Sequence, residues 1–89
     1  QRYSFGMNEN MTSLELKNIV RFNIRMRRKE QGLTQQALAD MIDAYQPNIA
    51  QIESGANTPT LENIAKIAAA LGVSPDLLLR PGIFSEITT

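Results

Sequence analysis

The stretch Ala44-Tyr45-Gln46-Pro47-Asn48-Ile49-Ala50-Gln51-Ile52-Glu53-Ser54, ended by Gly55, decides the fold. It follows an amphipathic segment opened by Thr34-Gln35-Gln36-Ala37-Leu38-Ala39. Apolar positions at Leu38, Ala39 and Ile42, then at Ile49 and Ile52, predict two short helices joined by a turn of about three or four residues. On the second helix Gln46, Asn48 and Gln51 fall off the apolar face. A primary amide offers a donor and an acceptor side by side, which suits bidentate contact with an adenine edge in the major groove. Isoleucines on one side and amides on the other give the helix the pattern of a DNA reader.

Working outward, Gly32-Leu33-Thr34-Gln35, Leu38-Ala39, Ile49, Ile52-Glu53-x-Gly55, Pro59-Thr60-Leu61 and Leu71-Gly72-Val73-Ser74 resemble the lambda-repressor-like helix-turn-helix family, also called Cro-type or XRE-type. The resemblance runs from about Ile24 to Leu79 and implies an all-α fold, a compact bundle of five short helices with helices 2 and 3 as the reading unit. It also implies a regulator of transcription, most simply a repressor, that binds double-stranded operator DNA as a homodimer on a palindromic site. Alternatives are an antitoxin, with a toxin as partner, and a protein-interaction adaptor that keeps the fold without the DNA function.

Length and composition narrow the classes. A chain of 89 residues is one domain, near the lower end of what buries its own core comfortably. Small domains often add a disulfide, a metal or a partner subunit. With no Cys and no His, disulfides and thiolate or imidazole metal sites are excluded, and no cofactor is implied. Tight helix packing and dimerisation remain. No apolar run approaches the roughly 20 residues that span a bilayer, and the N-terminus lacks a signal-peptide core. A cytoplasmic, nucleoid-associated protein is the expectation. Met7 is a candidate natural start, with residues 1–6 a vector-derived leader. Catalysis has no foothold, because carboxylates scattered over different elements assemble no nucleophile–base pair.

Nine basic residues balance nine acidic ones, for a formal net charge of zero. Phosphate neutralisation supplies much of the affinity of DNA binders, so distribution matters more than the sum. Six of the nine cations lie in one stretch, namely Lys17, Arg21, Arg25, Arg27, Arg28 and Lys29. Lys17, Arg21, Arg25 and Arg28 share a helical stripe. It reads either as a solvated face or as a source of phosphate contacts and salt bridges. From Leu33 to Ala65 there is no Lys or Arg. Any strong phosphate anchoring must therefore come from outside the reading unit.

Residues 1–13 read as an N-terminal arm, 14–80 as the DNA-binding domain and 81–89 as a tail with possible dimer contacts. Helix 1 is expected over about Leu14–Gln31, with Leu16, Ile19, Val20 and Ile24 buried and Gly32 as its stop. Thr34 caps helix 2. Because a proline disfavours helical geometry in the preceding residue, helix 3 is expected to begin at Pro47, with Gln46 as N-cap or just outside. Asp43 holds the turn position usually given to Gly, and tolerates left-handed geometry better than most residues. Thr60 caps helix 4, whose Leu61, Ile64, Ile67, Ala68 and Leu71 form its apolar face, and Gly72 ends it. Ser74-Pro75-Asp76 is expected to cap a short helix 5 over Pro75–Arg80, with Leu78 and Leu79 closing the core.

The resemblance places bases at Gln46 and Gln51, and Asn48 reaches a base or a phosphate. DNA-backbone contacts are expected from Thr34, Gln35, Tyr45, Arg28, Ser54 and Asn57. Gln35 opens helix 2, where its amide and the helix N-terminus both suit a phosphate. Tyr45 packs on the sugar-phosphate backbone or a thymine methyl, or else lies on the protein surface. The family pattern pairs Glu53 with Arg28, which would fix helix 3 against helix 1. For the dimer seam, Leu77, Leu79, Ile83, Phe84 and Ile87 are the least committed apolar residues, with Phe5 a lesser candidate. The alternative is a monomer in which Ile83 and Phe84 fold back over helix 1, against Phe22 or Met26.

Overall fold

Helix 1 begins where two side chains exchange hydrogen bonds with the backbone. In the computed structural model, which describes residues 11–84, the Thr12 hydroxyl accepts from the Glu15 N–H and the Glu15 carboxylate accepts from the Thr12 N–H. This capping box satisfies two otherwise orphaned donors. Donation from the Thr12 N–H, and secondly from its hydroxyl, holds the Glu15 carboxyl below the usual carboxylate range. From there α1 runs Ser13–Glu30, followed by α2 Gln35–Met41, α3 Gln46–Ser54, α4 Leu61–Leu71 and a 3-10 helix Pro75–Leu79. There is no strand among the described residues. Thr34 and Thr60 accept from Ala37 and Asn63 respectively, as the sequence predicts for the starts of α2 and α4.

Two expectations about helix ends need correction. Helix 5 is a 3-10 turn ending at Leu79, not an α-helix to Arg80, and Ser74 makes no side-chain cap. Its hydroxyl donates instead to the Asp76 carboxylate, which lies below its ordinary pKa range chiefly for that reason. Helix 3 starts at Gln46, one residue earlier than the proline rule suggests, with Tyr45 as a cap lacking any side-chain bond. Pro47 has no N–H to satisfy, and the next one, of Asn48, reaches Tyr45 O at 2.9 Å. The amide of Gln46 is tied to another helix, which offsets the unfavourable backbone before a proline.

The α2–α3 turn passes through Asp43 at φ 57°, the left-handed geometry expected there. It leaves the Ala44 N–H bonded to Ala39 O at 2.8 Å. Ala39 is fully buried, and a larger side chain at this crossing would separate the two helices.

Val20, Ile24, Leu38, Ile49, Ile52, Ile64, Ile67, Leu71 and Leu78 form the core, closed from below by the 3-10 helix. Each such side chain taken fully from water contributes roughly 1.5–3 kcal/mol before entropy is counted. Leu16 and Leu79 pack on this cluster while partly exposed. Helix α1 is the spine, in contact with α3, α4 and the 3-10 helix, while α2 packs chiefly on α3.

The spine also carries polar side chains that end the other elements. Asn23, 1% exposed between Val20 and Ile24, donates to the carbonyls of Leu78 (3.0 Å) and Arg80 (2.8 Å). Arg27 and Gln31 both reach Leu71 O at the end of α4. Arg21 donates to Glu53 O near the end of α3 at 3.2 Å. A Cβ at Gly55, which sits at φ 87°, would meet Arg21 Nε at 3.3 Å, so a glycine here serves both the left-handed stop and the arginine's approach.

Candidate nucleic-acid interface

Four side chains from three helices form one hydrogen-bonded series beneath the exposed face of α3. Arg28 meets Glu53 bidentately, Nε to Oε2 at 2.7 Å and Nη2 to Oε1 at 2.8 Å. Gln35 donates to the same Glu53 Oε1 at 3.0 Å. Gln46 donates to Gln35 Oε1 at 2.7 Å. Gln46 and Glu53 lie at opposite ends of α3, so the series fixes both ends of that helix against α1 and α2. Arg28 also reaches Leu33 O at 2.7 Å.

Much of the basic stripe on α1 is therefore internal. Arg28 is buried and Arg21 is bound to Glu53 O and to Asn18 Oδ1. Arg25 and Lys29 are exposed. They flank a notch of about 260 Å³ lined also by Arg28, Gln35, Ala50, Glu53 and Ser54. Glu53 in its floor is already paired, which leaves the notch positive. The tertiary fold thus sets cations beside α3, which has none of its own.

The other candidate residues separate by what they already bond. Asn48 and Gln51 are exposed on α3, and Gln46 is half-buried. With one hydrogen of its amino group on Gln35, Gln46 keeps its carbonyl oxygen and a second amino hydrogen for an outside partner. Tyr45 is 79% exposed, with its ring free of the core. Thr34 is committed to capping α2, and Gln35, the first residue of that helix, is half-buried with its amide bonded to Glu53 and Gln46. The Ser54 hydroxyl donates to Gln51 O and accepts from the Ala56 N–H. Asn57 is engaged with Gln51 by both main chain and side chain.

Sequence reasoning missed Asn23, Arg21, Arg27 and Gln31 as carbonyl partners. Asn23 had a visible signal, a polar residue within the apolar period of Val20 and Ile24. The contact of Asn57 with Gln51 had none, because it depends on how the loop after α3 folds back.

Of the apolar residues proposed for a dimer seam, Leu79 and Phe84 pack against the core, Leu77 is half-buried and Ile83 is 41% exposed. Pro81 and Gly82 line a cleft with Asn18, Ile19 and Phe22 of α1. Phe5, Ile87 and residues 1–10 of the arm lie outside the described residues.

Two helices meeting at a tight turn, the second with polar side chains outward and its ends tied down, define a helix-turn-helix DNA-binding domain. A helix-turn-helix family model matches residues 24–78, and the chain belongs to that family, of the lambda-repressor-like, Cro/XRE type. It is 38% identical over 55 residues to the control protein C.BamHI of Bacillus amyloliquefaciens, covering 62% of this chain and 68% of that one. The fold is similar to the P22 c2 repressor solved with a synthetic operator, at 37% identity and TM-score 0.63, covering 67% of this chain and 91% of that one. It is also similar to the hypothetical transcription factor NHTF from Neisseria, at 28% identity and TM-score 0.74, covering 89% and 92%. The chain is a DNA-binding transcriptional regulator of the repressor and controller type, and not an enzyme. No helix among the described residues is long and apolar enough to cross a membrane.

Proposed function

We propose that the chain is a repressor that binds a palindromic operator in duplex DNA as a homodimer. The observation that carries this reading is the exposure of Asn48 and Gln51 on α3, with the half-buried Gln46 at the start of that helix, beside the notch flanked by Arg25 and Lys29. Amides read base edges, and the cations with the N-terminus of α2 at Gln35 hold the phosphates that set the register. Thr34 and Tyr45 lie at the same edge of the reading unit and add backbone contacts. Two-fold pairing sets two α3 helices about one DNA turn apart, about 34 Å. Occupancy of such a site excludes polymerase.

Selection from a random duplex pool tests the reading. An inverted repeat with half-sites about one turn apart is expected. A single unrepeated half-site would remove the homodimer, and a pool without enrichment would favour an adaptor that keeps the fold but not the DNA function.

Arg25 and Lys29 are exposed, so replacing both with Ala is expected to change stability little, within about 0.5 kcal/mol each. Binding to every duplex should weaken together, and the salt slope should fall by about 0.9 for each phosphate that is no longer neutralised. An unchanged slope would place the phosphate anchors elsewhere.

Pairing through the C-terminal end is supported by the exposure of Ile83, next to the Ile19–Phe22 cleft. Ile83→Glu should convert a sedimenting dimer into a folded monomer with weakened operator binding. Sedimentation unchanged by this substitution would move the seam away from residue 83.

A further inference from the structure

Asn57 lies in the loop after α3, outside the reading helix, yet it grips one residue of that helix twice. Its backbone N–H donates to Gln51 O at 3.1 Å, and its side-chain Nδ2 donates to Gln51 Oε1 at 2.5 Å. The Ser54 hydroxyl, bonded to Gln51 O and to the Ala56 N–H, braces the same loop. Gln51 itself is exposed. Its amide oxygen thus faces Asn57, while its amino group, with two donors and no acceptor, makes no hydrogen bond among the described residues.

We propose that Asn57 is a positioning residue that sets the base preference of Gln51, making it read an edge with two acceptors, guanine N7 and O6, in place of the adenine edge open to a free glutamine. This rests on the proposed reading of DNA by α3. A bidentate adenine contact needs the amide oxygen to accept from the base amino group while the amide nitrogen donates to N7. Asn57 takes one of that oxygen's two lone pairs and holds it toward the loop, which sets it against an adenine amino group. Gln46 differs, because its bond to Gln35 uses one amino hydrogen and leaves both a donor and the acceptor oxygen for an outside partner. Two glutamines on one helix therefore present opposite chemistry, Gln46 an adenine reader and Gln51 a guanine reader.

The test is selection from a random duplex pool with the full chain and with Gln51→Ala, Asn57→Ala and Asn57→Asp. The base pair that Gln51→Ala relaxes is the one Gln51 reads. Wild type is expected to prefer guanine there by roughly tenfold or more. Asn57→Ala frees the amide and should admit adenine. Asn57→Asp cannot donate, so it draws the Gln51 amino group inward, turns the oxygen outward, and should shift the preference to a base with a major-groove amino group, adenine or cytosine. Its added negative charge weakens binding to all sequences, which leaves the preference as the informative readout. Preferences identical in wild type and both Asn57 variants would overturn the proposal, as would adenine selected by wild type at that pair. No enriched motif for wild type would instead remove the DNA reading itself, and the role of Asn57 with it.

Discussion

Arg28→Ala is expected to lower stability by about 3–5 kcal/mol, since it leaves a buried carboxylate without its cation. Glu53 is 6% exposed, and its other side-chain partner is the neutral amide of Gln35. A domain of this kind is stable by roughly 5–15 kcal/mol in total, so the variant stands near the threshold of folding. Arg28→Lys should recover only part of the loss, because one ammonium cannot replace two parallel bonds to the carboxylate and a third to Leu33 O. Replacing Arg28 and Glu53 together with apolar residues of similar size should be far milder than Arg28→Ala, as no charge is then stranded. Urea unfolding of the three proteins checks the order. A loss below about 1 kcal/mol for Arg28→Ala would show the pair to be as weak as an exposed one. DNA binding should fall further than stability alone accounts for, because Gln35 and Gln46 lose the anchor at the far end of their series.

The fold is legible from local chemistry, and the site only partly. Thr34, Asp43, Thr60 and Gly72 each act within a few residues of themselves, and each marks a boundary where the sequence predicts one. The start of α3 falls one residue away from its expected place because the steric rule for a residue before proline is also local. It takes no account of Gln35, eleven positions away, which holds Gln46 in the helix. The stripe of Lys17, Arg21, Arg25 and Arg28 is legible as one face of a helix. That two of its arginines are spent on Glu53 is visible only for Arg28, where the family pattern supplies the partner. Arg21 binds a main-chain carbonyl, and every residue has one, so no residue type announces it. Asn57 is legible as polar and near the reading helix, which points to phosphate. Its bonds to Gln51 arise from the fold of the loop, which composition marks as a turn without giving its path.

Gln51→Ala is expected to cost about 1–3 kcal/mol of specific binding and to relax preference at one base pair per half-site. The residue is exposed on α3, so truncation opens no cavity and the domain should unfold at nearly the wild-type denaturant concentration. Non-specific affinity and the salt slope should hardly move, since Gln51 carries no charge and the proposed phosphate anchors are Arg25, Lys29 and the start of α2. This combination separates a base reader from its alternatives. A phosphate contact would weaken all duplexes alike, and a structural residue would lower stability along with binding. The Ser54 hydroxyl and the Asn57 N–H bond to the backbone oxygen of Gln51, not to its side chain, so Gln51→Ala leaves those loop contacts in place. If affinity, selected motif and salt slope all match wild type, α3 does not read bases through Gln51. Gln46 and Asn48, nearer the start of the helix, would then have to supply the sequence preference on their own.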